Sequence, residues 1–249
     1  MLESNIIYDE IAMLIKKISI VNDLQEITTL FDKIKQATVV SFVNAHAINL
    51  AVRDSDFRKS LLASDYILVD GIGMRLLYRY LGLDYGLNMN GTDYIPYLLK
   101  GFSNKSISLY GSTFDVIQKT KEKLQNDYGY TVVDCQDGFQ NLPFYLNRLR
   151  NGVPALVLLG MGMPKQEGLS ILIKEKIEEN SLIVNGGAIV DFIGDKVRRA
   201  PKFFLKLHLE WFYRLCVEPR RLFYRYVIGN VLFMMKFGRI KSHFESTII

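Results

Sequence analysis

Short apolar runs alternate with amphipathic stretches along most of the chain. Thr38-Val39-Val40-Ser41-Phe42-Val43 is one such run, Tyr66-Ile67-Leu68-Val69 another, and others lie at 106–110, 130–133, 155–159 and 182–184. Their shortness and their content of Val, Ile and Tyr predict strands. Between them Leu24, Ile27, Leu30, Phe31 and Ile34 recur at three-four spacing, as do Leu169, Leu172, Ile173 and Ile177. Both patterns predict helices with one apolar side. Val116, Lys119, Thr120, Lys123 and Leu124 mark a further helix of mixed polarity. Strands buried on both faces and separated by helices predict an α/β fold: a Rossmann-like, mostly parallel sheet flanked by helices, with right-handed crossovers.

The pattern changes near residue 195. Residues 196–249 hold 12 Lys/Arg and three acids (Glu210, Glu218, Glu245), whereas the whole 249-residue chain has a net charge of only +5. The body is therefore slightly acidic and the end basic. The division predicts an α/β core over 1–195 and a helical appendage over 196–249. Such an appendage suits a polyanion: an anionic membrane, a pyrophosphate or a nucleic acid. Leu205, Leu207, Leu209, Trp211, Phe212, Leu215 and Val217 supply its apolar surface, and a second apolar run follows from Phe223 to Met235. The spacings of Arg214, Arg221 and Arg225, with Arg220 beside them, put several guanidinium forks on one helical side, where they suit phosphate oxygens. A basic, aromatic, amphipathic helix reads as an interfacial membrane binder. The other reading is a terminal helix packed on the core with its arginines in water. A nucleic-acid binder should instead align its cations along a groove or platform. Here they are interleaved with aliphatic residues and Met, so no nucleic-acid partner is expected.

Several classes fall away. No stretch reaches the roughly 18 apolar residues of a spanning helix; 226–235 is long enough only to lie in an interface. Met1-Leu2-Glu3-Ser4-Asn5 shows no cationic leader before an apolar run, so no signal peptide is expected. Cys135 and Cys216 lie far apart and read as free thiols in a reducing compartment.

In an open parallel sheet, ligands bind beyond the carboxyl ends of the strands. The loops at 44–46, 70–73, 111–113, 160–164 and 185–187 are rich in Gly, Asp or Asn. Glycine lets backbone amides approach a phosphate, and helix N-termini favour negative charge, so these loops predict a nucleotide or sugar-phosphate site. Asp70 follows a strand and precedes Gly71. It either caps the next helix or takes a proton from an attacking hydroxyl. In Gly160-Met161-Gly162-Met163-Pro164-Lys165-Gln166-Glu167 the proline marks a helix start. Gln166 and Glu167 then either point into the pocket, where Gln166 suits sugar hydroxyls or a uracil edge, or belong to a structural corner. The dinucleotide fingerprint is not met, because the third glycine is missing and the run lies far from the first strand; this argues against an NAD-dependent oxidoreductase. Asp54-Ser55-Asp56 fits a loose D-x-D pattern but reads as a turn or helix cap. His46 is expected to touch ligand, and His208 and His243 to sit on surfaces or interfaces; the three show no metal spacing.

Read in order, the motifs are Asn44-Ala45, Ala63-Ser64-Asp65 leading to Asp70-Gly71, Gly91-Thr92-Asp93, Gly111-Ser112, Gly138-Phe139, Gly160-x-Gly162-x-Pro164-Lys165-Gln166-Glu167 and Gly186-Gly187. Arg199-Ala200-Pro201, Leu209-Glu210-Trp211-x-Tyr213-Arg214-Leu215 and Glu218-Pro219-x-Arg221 complete the series. From about Val39 to Arg225 the chain resembles the WecG/TagA/CpsF family of bacterial glycosyltransferases, glycosyltransferase family 26. The resemblance implies inverting transfer from a UDP-sugar to a polyprenyl-diphosphate-linked sugar at the cytoplasmic face of the membrane, in the synthesis of a capsule, exopolysaccharide or teichoic acid. It implies peripheral attachment, no metal and no other cofactor, with Asp70 as general base and appendage arginines, Arg214 and Arg221 foremost, on the lipid diphosphate. The candidate substrate-binding residues are Asn44, His46, Gly71, Gly91, Asp93, Gly111, Gly160, Gly162, Lys165, Gln166, Glu167, Gly187 and Arg199. Amides of 160–162 and 186–187 are expected to help stabilise departing UDP. Two places depart from the family pattern. Phe42 stands where many members carry Thr, with Ser41 one step earlier, and Asn88 stands where many carry Arg; both bear on which sugar is used. A non-catalytic sugar-nucleotide-binding protein and a basic-tailed nucleic-acid-binding protein are the competing classes, and the sequence leaves self-association open.

Overall fold

The structure, a computed structural model, describes residues 2–149, 153–206 and 209–246, without the side chains of residues 2, 3, 202 and 206. Leu207 and His208 thus lie outside the described residues. In chain order the elements are α1 (Leu2–Lys17), α2 (Leu24–Asp32), β1 (Thr38–Val43), α3 (Ala45–Arg53), α4 (Ser55–Ala63), β2 (Tyr66–Val69), α5 (Ile72–Leu81), α6 (Gly91–Gly101), β3 (Ser106–Gly111), α7 (Phe114–Tyr128), β4 (Thr131–Gln136) and α8 (Leu142–Arg148). There follow β5 (Leu156–Gly160), α9 (Lys165–Lys176), β6 (Leu182–Asn185), α10 (Ile189–Ile193), α11 (Lys202–Lys206), α12 (Glu210–Val217), α13 (Pro219–Phe223), a wide π-type turn (Tyr224–Ile228), α14 (Gly229–Met234) and α15 (Phe237–Ser246).

The sheet is wholly parallel, in the order β2-β1-β6-β5-β3-β4. The six expected strands are all present. β4 runs on past Val133 through polar Asp134 to Gln136, because as an edge strand it needs only partial burial. Alternate residues serve opposite faces. Val40, Phe42, Leu158 and Val184 pack under α2, α6, α7 and α10, while Val43, Ile67 and Val69 pack on the other side with α1, α3, α4 and α5. Val39, Val157, Leu159 and Ile183 pack there too, with α8 and α9. Asp54 caps α4, its Oδ1 accepting from Phe57 N–H at 2.9 Å, as the sequence suggested.

The basic end divides into two parts. Phe233, Ile240 and Phe244 are buried in the cluster formed with α1, α3 and α5. Asn49 Nδ2 donates to the Gly229 carbonyl at 2.6 Å, and Lys236 Nζ donates to Asn49 Oδ1 at 2.8 Å. These contacts fasten α14 to α3, and α15 lies along α1. α12, by contrast, buries none of its residues. Arg214 and Arg221 do not share one helix, contrary to their spacing. Proline disfavours a helical conformation in the residue before it, and Glu218, with φ −129° and ψ 61°, ends α12 at Pro219.

Candidate active site

A cleft of about 500 Å³ opens over the carboxyl ends of the strands. Its floor is built from strand-end loops, including Asn44, Asp70, Ser112, Gly160 and Gly186, and its roof from the basic segment, including Glu210, Trp211, Arg214, Arg221, Arg225 and Tyr226.

Asp70 belongs to the floor and does not cap α5, whose first turn has no side-chain cap. Gly71 turns the chain away with φ 89°, a conformation that favours glycine. Its amide donates to Asn88 Oδ1 at 2.8 Å, and the Tyr85 hydroxyl donates to the same oxygen at 3.0 Å. Asn88 thus fixes the turn that presents Asp70. Asn44 caps α3 through Oδ1, which accepts from Ala47 N–H at 3.0 Å, and its Nδ2 donates to Asp70 Oδ2 at 3.3 Å. Burial raises the Asp70 pKa; the Asn44 bond and the Arg225 charge oppose that rise, and Glu210 adds to it. His46, on the same floor, is pushed down to about 4 by burial and then by Arg225, so its imidazole is neutral at neutral pH. Phe42 faces the cleft. Ser41 is buried, bonded to Ser64 and to Asn185 Nδ2.

Gln166 lines the cleft but is only 1% exposed. Its Oε1 accepts from both Gly162 N–H and Gly187 N–H at 3.1 Å, and its Nε2 donates to Glu167 Oε1 at 2.8 Å. Its amide oxygen is therefore committed to two strand-end loops. Glu167 is wholly buried and lies outside the cleft lining, and burial raises its pKa to about 7. Three glycine amides expected to meet UDP are already engaged, since Gly186 N–H donates to the Leu159 carbonyl at 2.7 Å. The expectation for them is corrected: these amides hold the loops in shape.

The roof is satisfied less completely. The Nε atoms of Arg214 and Arg225 and Oε1 of Glu210 are buried without a hydrogen-bond partner among the described residues. Arg214 lies over the Phe192 ring at 5.6 Å and Arg225 over the Tyr226 ring at 5.7 Å. Burial lowers the Arg225 pKa, and the like charge of Arg214 lowers it further. Two close guanidinium groups with unmet donors form a cradle for an anion. Arg221 joins that lining although it also pairs with Glu218. Arg220 is exposed and outside it.

Gly91, Asp93, Gly160, Gly162 and Gly187 all line the cleft. Gly111 does not; a Cβ there would lie 2.4 Å from the Gly160 carbonyl oxygen, so it permits close approach of β3 and β5. Lys165 also stays outside, donating to the Gly138 and Gln140 carbonyls at 2.8 and 2.5 Å and thereby holding the loop that carries Phe139. Arg199 lies outside as well and pairs with Asp93. The sequence reading did not single out Ser112, Asn90 or Asp191 as site residues. Ser112 Oγ donates to Asp191 Oδ1 at 2.5 Å, and Asn90 Nδ2 donates to Glu210 Oε2 at 3.4 Å, joining floor to roof. The two asparagines shortly before Gly91, Asn88 and Asn90, were the available signal for Asn90; Asp191 offered none, for it sits mid-helix in an apolar run. Among the described residues no group of three or more His, Cys, Asp or Glu side chains is placed to hold a metal ion, and no helix is long and apolar enough to cross a membrane.

A profile of the glycosyl transferase WecG/TagA/CpsF family matches residues 10–246. The chain is 32% identical over 192 residues to the N-acetylglucosaminyldiphosphoundecaprenol N-acetyl-beta-D-mannosaminyltransferase of Bacillus subtilis (strain 168), covering 75% of this chain and 74% of that protein. The protein of the same name from Bacillus spizizenii (strain ATCC 23059 / NRRL B-14472 / W23) is 29% identical over 198 residues, covering 78% and 76%.

Proposed function

We propose that this chain, which belongs to the WecG/TagA/CpsF family of glycosyl transferases, moves a hexose from a UDP-sugar to a sugar carried on a polyprenyl diphosphate. The observation that carries this reading is the opposition of Asp70 on the floor to Arg214 and Arg225 on the roof, whose buried Nε atoms lack acceptors among the described residues. A carboxylate and an anion cradle across one cleft suit a reaction between a sugar hydroxyl and a substrate bearing a diphosphate.

Asp70 takes the proton of the acceptor hydroxyl as its oxygen attacks the anomeric carbon of the donor. The bond from that carbon to the diphosphate oxygen breaks, and UDP leaves with the electron pair. One displacement inverts the anomeric centre, in keeping with the beta linkage in the relatives' name. A carboxyl whose pKa is raised is a stronger base than an exposed one; burial supplies the rise while Asn44 orients the group. Arg214, Arg221 and Arg225 meet diphosphate charge, and in this reading no metal is needed to do so. Phe42 and Asn88 bear on the choice of sugar, which is N-acetylmannosamine in the relatives by name. The product enters a cell-surface polysaccharide, and the protein works as a peripheral enzyme at the cytoplasmic face of the membrane. The test is UDP release from a panel of UDP-hexoses with a synthetic prenyl-diphosphate N-acetylglucosamine acceptor. Acceptor-dependent release is expected from one donor; UDP binding without release from any would place the chain among non-catalytic sugar-nucleotide binders.

A further inference from the structure

The basic end is not the sole apolar surface beside the cleft. α5, an element of the core, exposes Ile72, Leu76 and Tyr80 to 43%, 45% and 47%. Spaced four apart, these three form one stripe along the helix. Ile72 itself lines the cleft, two residues from Asp70. The stripe runs beside α14 and α15. A Cβ on Gly73 would lie 3.5 Å from Phe233, and the rings of Tyr80 and Phe237 are 5.5 Å apart. α14 and its end contribute exposed Val231, Met234 and Met235.

Charge identifies the partner. Residues 71–83 carry Arg75 and Arg79 and residues 219–244 carry six Lys/Arg, against flanking acids of which Glu218 pairs with Arg221 and Glu245 with Lys241, so cations outnumber acids on this face. Arg75 and Arg79 are exposed beside the stripe, and Lys241 Nζ lies 5.4 Å from the Tyr80 ring. Apolar side chains ringed by cations fit an anionic bilayer surface. A second copy laid face to face would oppose like charges.

We infer that α5 and α14 together form one membrane-docking face, so that the core itself, and not only the basic end, rests on the anionic bilayer with the cleft mouth at the lipid surface. This rests on the proposed transfer to a lipid-linked acceptor, for it brings the acceptor's sugar within reach of Asp70 while its lipid chain stays in the membrane.

The experiment is co-sedimentation of the full chain with phosphatidylglycerol–phosphatidylcholine vesicles at physiological salt. The Leu76→Ser/Tyr80→Ser double variant is compared with Leu30→Ser, which alters an exposed residue of α2 beyond the opposite face of the sheet. The double variant is expected to lose roughly tenfold or more in vesicle partition, with Leu30→Ser unaffected. Partition equal to wild type, or an equal loss in both variants, overturns the inference. So does a change of mass in sedimentation velocity without lipid at unchanged vesicle binding, which would assign the stripe to self-association. Turnover of a short-chain, water-soluble acceptor is measured in parallel. The double variant should keep it, and its absence in the wild type would sink the transfer reading while leaving the docking face to be judged by the vesicles.

Discussion

The two walls of the cleft differ in the kind of polar group they leave unmet. On the floor, Gln166 meets Gly162, Gly187 and Glu167, Asn88 meets Gly71, and Asn44 meets both Ala47 and Asp70. The floor leaves one lining acceptor, Asn185 Oδ1, buried without a partner among the described residues, whereas the roof leaves the cationic Nε donors of Arg214 and Arg225, together with Glu210 Oε1, in that state. Leaving such an atom unmet costs about 1–3 kcal/mol, and more when the group is charged. A wall whose groups mostly bond one another sets geometry. A wall with unmet donors gains stability from whatever anion enters. The floor is therefore the template of the site, and the roof is its charge receptor.

The most direct way to break this division is Asp70→Asn, which removes the one floor group assigned to chemistry. Turnover is expected to fall by about three orders of magnitude with the unfolding midpoint and donor affinity kept; near-wild-type turnover removes Asp70 from the base role. Next is Arg225→Met, expected to lower kcat/KM by about a hundredfold without loss of thermal stability, because it relieves a buried charge set close to Arg214. Arg220→Met, outside the cleft, serves as its control and should change little. A roof that loses stability and not activity would reverse the comparison. Gln166→Leu tests the floor: two loop amides lose their acceptor, and urea unfolding should show a loss of about 2–3 kcal/mol.

Glu167 gives the smallest effect and the sharpest sign. Its pKa is raised to about 7 in the folded protein from 4.5. A raised folded-state value means that its stabilising contribution is whole below the unfolded pKa and is lost as pH rises through about 7. Between about pH 6 and pH 8 the wild type should lose about 1 kcal/mol relative to Glu167→Gln, measured by urea unfolding at each pH. Parallel curves for the two proteins would show that the carboxyl is not held as the floor requires.

The strands were legible because each is a short apolar run, and a parallel sheet buries both faces of its strands. That Asp70 and most of the glycine loops line one cleft was legible because such a sheet forms its crevice at the carboxyl ends of its strands. The work of Gln166 was not. One of its partners, Gly187, lies 21 residues away and comes within reach only because β5 and β6 are neighbours, which is a fact of topology. The anchoring of the basic end was hidden for another reason. Phe233, Ile240 and Phe244 give an amphipathic pattern that is the same whether the apolar side meets lipid or protein, and the structure buries these three in the core. Asn88 was visible only as a departure from a family pattern; its bond to Gly71 gives that departure a physical meaning.

The roof is an arch with both feet in the core. One foot is the pairing of Arg199 with Asp93 in the first turn of α6, and the other is Phe233, set between α3 and α5. A load placed on such a span is borne at its abutments. Here those are the three helices whose leading ends carry Asn44, Gly71 and Asn90, so a pull on the crown would be felt as a shift of these groups on the floor of the cleft.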